Sequence, residues 1–159
     1  KMCVLCALVL IAASNDCKID DVLVRKTPWR FDLRDCKTLR LTNQNLDDAS
    51  AVAISKALKG NVVLTSLMLD ENRIGDKGAA AIADALHSNT ALHYLSFTVN
   101  QIGTAGATAL AKALKVNQVL TSIDLGDNYI QADGARAMAE TLKVNTVLVD
   151  LHIRKNRIG

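Results

Sequence analysis

Ser96, Asp124 and His152 follow one another at intervals of 28 residues. A hydroxyl, a carboxylate and an imidazole are the three groups of a hydrolytic triad, in which the imidazole sits between the other two and takes the serine proton. On consecutive parallel strands the equal spacing would instead put the acid in the middle, with Ser96 about 10 Å from His152, two strand spacings away. An open strand face also offers no evident oxyanion hole. No catalytic residue is therefore assigned, and an enzyme is not expected. The relation the spacing does favour is a hydrogen bond or ion pair between Asp124 and His152, which would make binding on that face sensitive to pH near about 6 to 7.

Other chemistry finds less support. His87, His93 and His152 do not form a metal constellation. Cys3 and Cys6 make a CxxC, but inside the apolar run "CVLCALVLIAA" and without a second ligand pair, so they read as apolar residues rather than a zinc or redox pair. Cys17 and Cys36 also lie in the first quarter of the chain. There is no phosphate loop and no nucleotide fingerprint, and no cofactor is expected. The net charge of +3 comes from 19 basic and 16 acidic residues spread along the chain, which makes no electrostatic case for nucleic acid. The cluster "HIRKNR", residues 152–157, fits an acidic partner or a solvated edge.

The elements that position these residues are set by a repeat. Leu64, Leu92, Leu120 and Leu148 coincide at a period of 28, as do Leu67, Leu95, Ile123 and Leu151, and Leu69, Phe97, Leu125 and Ile153. Asn72, Asn100, Asn128 and Asn156 form one column, and Ile74, Ile102, Ile130 and Ile158 another. One period earlier, Cys36, Leu39, Leu41, Gln44 and Leu46 keep the phase. In "LTSLML" the second and third leucines share one face of a short strand, because side chains alternate, and strands of successive repeats stack in parallel. The Asn column turns the chain out of each strand and is expected to satisfy backbone groups in the turn and in the next repeat. "GDKGAAAIADALHSN" is a helix, with Ala79, Ile82 and Leu86 on one face. Asp48, Asp76 and Thr104 stand where N-caps are expected, with Asp133 serving the last helix. Lys59, His87, Lys115 and Lys143 complement the helix C-termini. Asn61, Asn89, Asn117 and Asn145 suit a left-handed exit.

This unit, in "IGDKGAAAIADALHSN" and "IGTAGATALAKALKVN", resembles the ribonuclease-inhibitor-like class of leucine-rich repeats, as found in NLR sensor domains. The resemblance covers residues 36–159, about four and a half repeats. It implies an α/β fold: a right-handed leucine-rich repeat solenoid, a horseshoe segment with parallel strands on the concave face and helices on the convex face. It also implies a protein-binding role. Residues 1–14 fit either a secretory signal or a buried end cap. They are too short for a membrane span, which takes about 20 apolar residues. Residues 15–35 read as a non-repeat flank, with Trp29 and Phe31 packing over the first repeat. The resemblance favours the cytoplasm; a signal at 2–14 would mean secretion.

The variable strand positions form a fifteen-position grid. Its central row is Arg40, Met68, Ser96, Asp124 and His152. The row before it is Thr38, Ser66, Tyr94, Ser122 and Asp150, and the row after it Thr42, Asp70, Thr98, Gly126 and Arg154. The expected function is a protein–protein interaction module whose partner seats on this face. Tyr94 and Met68 would be apolar anchors; Arg40, Asp70, Asp124, Asp150, His152 and Arg154 would set charge. The alternative is a static structural subunit. "VLVDLHI" near the end would leave an apolar side for further repeats or a neighbouring subunit to cover.

Overall fold

The computed structural model describes residues 16–18 and 36–159. Residues 1–15, Trp29 and Phe31, on which several expectations fall, lie outside the described residues. Six strands and four helices are described: β1 (Asp16–Lys18), β2 (Thr38–Arg40), α1 (Asp48–Leu58), β3 (Ser66–Met68), α2 (Asp76–Leu86), β4 (Tyr94–Ser96), α3 (Thr104–Leu114), β5 (Ser122–Asp124), α4 (Gln131–Leu142) and β6 (Asp150–His152). The strands form one parallel sheet in chain order. Its register carries the repeat directly: Leu39, Leu67, Leu95, Ile123 and Leu151 stand side by side.

The core sits between this sheet and the helices. Leu39, Leu67, Leu95 and Ile123 are fully buried, as are Leu41, Leu69, Phe97 and Leu125. Ile54, Ile82 and Leu110 close it from the helical side, each fully buried side chain of this size contributing roughly 1.5–3 kcal/mol. Small residues set how closely helices pack. A Cβ on Gly106 would come within 2.8 Å of the Asp76 carboxylate and 2.9 Å of Ile102.

Two ladders of asparagine hold the repeats together. Asn100 Nδ2 donates to the carbonyls of Leu69 and Phe97, and its Oδ1 accepts from the Ile74 amide. Asn72, Asn128 and Asn156 repeat the pattern. The cross-repeat bonds run to the preceding repeat, not to the following one as expected. The second ladder corrects a further expectation. Asn61, Asn89, Asn117 and Asn145 are absent from the positive-φ positions, so they do not supply a left-handed exit. Asn89 Nδ2 instead reaches back to Leu58 O, and its Oδ1 accepts from Ala91 and Leu92. Asn117 and Asn145 do the same.

The helix starts also differ from expectation. Asp47, one residue before Asp48, caps α1 in a reciprocal box with Ser50. The Ser50 backbone N–H, and after it the Ser50 hydroxyl, hold the Asp47 carboxyl below its ordinary range. Asp48 and Asp76 are the first helical residues of α1 and α2 and serve their neighbours. Asp48 Oδ1 accepts from the Gly75 and Gly78 amides at the start of α2. Asp76 does likewise for Gly103 and Gly106 at the start of α3. Each thus satisfies donors that a helix start leaves open, one repeat further along. Thr104 gives its proton to Ile130 O, and Asp133 pairs with Arg136 on the surface of α4. At the helix ends, His87 Nδ1 lies 3.0 Å from Ala83 O.

The flank at 15–35 contributes β1, in register with β2 through Cys17 and Leu39. Cys17 and Cys36, both buried, form a disulfide that ties this strand to the first repeat. At the other end Leu148, Leu151 and Ile153 are only partly buried, and Val149 is 78% exposed.

Candidate functional site

Strand alternation points one residue of each central triplet inward and its neighbours outward, so the grid is assembled as rows. Thr38, Ser66, Tyr94, Ser122 and Asp150 stand in register, as do Arg40, Met68, Ser96, Asp124 and His152. Asp16 and Lys18 extend the two rows by one register position each.

The candidate residues are not equivalent. Arg40 is exposed and lies against half-buried Met68, with Nη1 2.9 Å from Sδ. Tyr94 is half-buried at the centre of its row. Asp70 is engaged within the fold: its Oδ1 accepts from the Ser96 hydroxyl and from the Thr98 amide. Ser96, counted on the open face from its spacing, is 2% exposed. Its proton is directed at Asp70, in the preceding repeat, while His152 stands two strands away on the other side. The triad geometry is therefore absent among these residues.

Asp124, His152 and Arg154 are brought together. Asp124 Oδ1 accepts from the Gly126 amide, and its Oδ2 lies 3.5 Å from His152 Nδ1. Gly126 is buried, and a Cβ there would meet Asp124 Oδ1 at 3.1 Å and Arg154 Nε at 3.3 Å. The missing side chain thus lets Arg154 lie across the face beside Asp124. Asp150 and His152 on β6 are exposed, as is Arg154 just after it.

The strand grid missed two contacts on the strand-to-helix loops. Lys155 Nζ lies 3.2 Å from Asp127, and the Arg157 guanidinium stands over the Tyr129 ring at 4.8 Å from its centre. The signal for the second was available: the column Asn45, Arg73, Gln101, Tyr129 and Arg157 varies from repeat to repeat as the grid does. Among the described residues no three His, Cys, Asp or Glu side chains group to hold a metal ion. No described helix is long and apolar enough to cross a membrane.

A parallel sheet one short strand per repeat wide, backed by one helix per repeat and locked by asparagine ladders, defines a solenoid. A leucine-rich repeat model matches residues 60–83, 88–111 and 116–139. The chain belongs to the leucine-rich repeat family. Among solved structures it is similar to one described as leiomodin-1 actin-binding site 2. The two are 35% identical, with a TM-score of 0.64, over 80% of this chain and 74% of that one. No curated protein sequence matches.

Proposed function

We propose that this chain is a non-enzymatic protein-interaction module that binds its partner through the concave strand face. One contrast carries the reading. The inward strand columns hold Leu, Ile and Phe throughout, while the outward rows vary in chemistry along the solenoid. Folding alone does not require Tyr94 or Met68 on an open strand face. Aromatic residues and arginine tend to dominate interface energies, which ranks Tyr94, Met68, Arg40 and Arg154 above Asp70, whose carboxylate is occupied within the fold. Asp124, His152 and Asp150 would set charge at the β5–β6 end. The full helix in each 28-residue unit supports placing the chain in the ribonuclease-inhibitor-like class, with residues 36–159 as its repeat domain.

The similar structure is named for an actin-binding site, so monomeric actin is the first probe. Calorimetric titration of actin into the chain and its variants tests both parts. Tyr94→Ala is expected to weaken binding about tenfold with the melting temperature unchanged. Actin that binds equally well to Tyr94→Ala, Met68→Ala and Arg154→Ala would remove the concave face from the reading. If actin does not bind, a photocrosslinker at Tyr94 in native lysate names the partner instead.

A further inference from the structure

The loops leading from strand to helix form an edge beside the concave face. Asn43, Glu71, Val99, Asp127 and Lys155 occupy equivalent positions there, all with φ of 52–56°. Asn and Asp tolerate this left-handed backbone, whereas a β-branched side chain is strained in it. The ladder imposes it regardless: the Val99 amide donates to Gly126 O, and Val99 O accepts from the Asn72 amide. Nor is Val99 sheltered by the core, being 47% exposed. A valine at this position thus costs backbone energy and leaves apolar surface in water, and strain of this kind gathers at functional sites.

The neighbouring column supplies the rest of a surface. Arg73, Gln101, Tyr129 and Arg157 are all exposed, and Arg157 holds the Tyr129 ring from one side. Asp127 is neutralised by Lys155. Arg73, Arg154 and Arg157 make no ion pair with a described residue, and Glu71 is the one carboxylate besides Asp127 in the two loop columns. We propose that this loop edge is a second protein-binding surface, distinct from the strand face, that seats an acidic segment carrying an apolar side chain. Val99 and Tyr129 are its apolar anchors, and Arg73 and Arg157 pair with the partner's carboxylates.

Three probes test this by fluorescence anisotropy and by amide chemical shifts of the labelled chain. They are a synthetic peptide of glutamates flanking a Leu-Phe pair, the same peptide with lysines for glutamates, and a single-stranded DNA oligonucleotide of equal charge. The glutamate peptide is expected to bind at least about tenfold more tightly than either control, with Tyr129→Ala and Arg157→Glu each weakening it about tenfold. The shifts are expected to centre on residues 99–101 and 127–129. Val99→Asn separates binding from folding: the melting temperature rises while affinity for the peptide falls. The proposal is overturned by no binding of the glutamate peptide, or by equal binding of the lysine peptide or the DNA. It is equally overturned by shifts centred on strand residues 66–68 and 94–96, by a Val99→Asn variant with unchanged affinity, or by one with a lowered melting temperature.

Discussion

Asn100 shows how much a single side chain does here. Its amide joins two carbonyls and one N–H drawn from two repeats, all of them buried away from water. Asn100→Ala strands those groups, and each buried unsatisfied group costs about 1–3 kcal/mol. The expected result is a loss of about 3 kcal/mol or more in urea unfolding, against almost no loss for Tyr94→Ala. Asp47 gives a smaller, pH-dependent effect. Because Ser50 holds its carboxyl below the ordinary value of 3.8, its stabilisation is complete above that value and lost as the pH falls through the lowered one. Asp47→Ala should therefore cost about 1 kcal/mol at neutral pH, with the gap to the parent chain closing in acid; thermal unfolding across the acid range reads this. Both asparagine columns were legible because their spacing is unbroken. The direction of their cross-repeat bonds was not, since a column looks the same from either side.

At the scale of the element, the spacing placed every repeat strand and helix, because inward-facing residues on a two-residue and a helical period cannot be exchanged. The helix caps were misread for a physical reason. A capping rule looks for the acceptor beside its own helix, whereas Asp48 and Asp76 serve amides 27 and 30 residues further on. Such a bond is visible only after the repeats are stacked. Gly106 belongs to the same arrangement, its absent Cβ making room for the Asp76 carboxylate and Ile102. Gly106→Ala is expected to destabilise by about 1–3 kcal/mol through overpacking, and Asp76→Ala by about 1 kcal/mol through the lost cap. Combined, they should cost less than the sum, because the alanine has less to displace. Denaturant unfolding of the two single variants and the double variant checks all three values.

At the scale of the whole molecule, each repeat packs only on its neighbours, so stability is a sum of local terms along the solenoid. β1 was not foreseen, because three residues carry no period and nothing in the spacing joins Cys17 to Cys36. Its disulfide to Cys36 closes a sequence separation of 19 residues, a loop size for which cross-linking is worth about 3 kcal/mol. Reduction, or Cys17→Ser, should lower the melting temperature and release β1 and β2 first, seen as early hydrogen exchange there while β3 to β5 stay protected. The surface was less legible than the scaffold. Spacing alone could place the rows, but it could not show that Ser96 is buried or that Asp70 is already satisfied by its neighbours.

The central claim is that the concave strand face binds protein. The most direct measurement is the affinity for monomeric actin of the chain and of Tyr94→Ala, both checked to have the same melting temperature. Binding that falls about tenfold in the variant is the predicted result. Measurable binding that is identical in the two proteins, and equally untouched by Met68→Ala and Arg154→Ala, would contradict it.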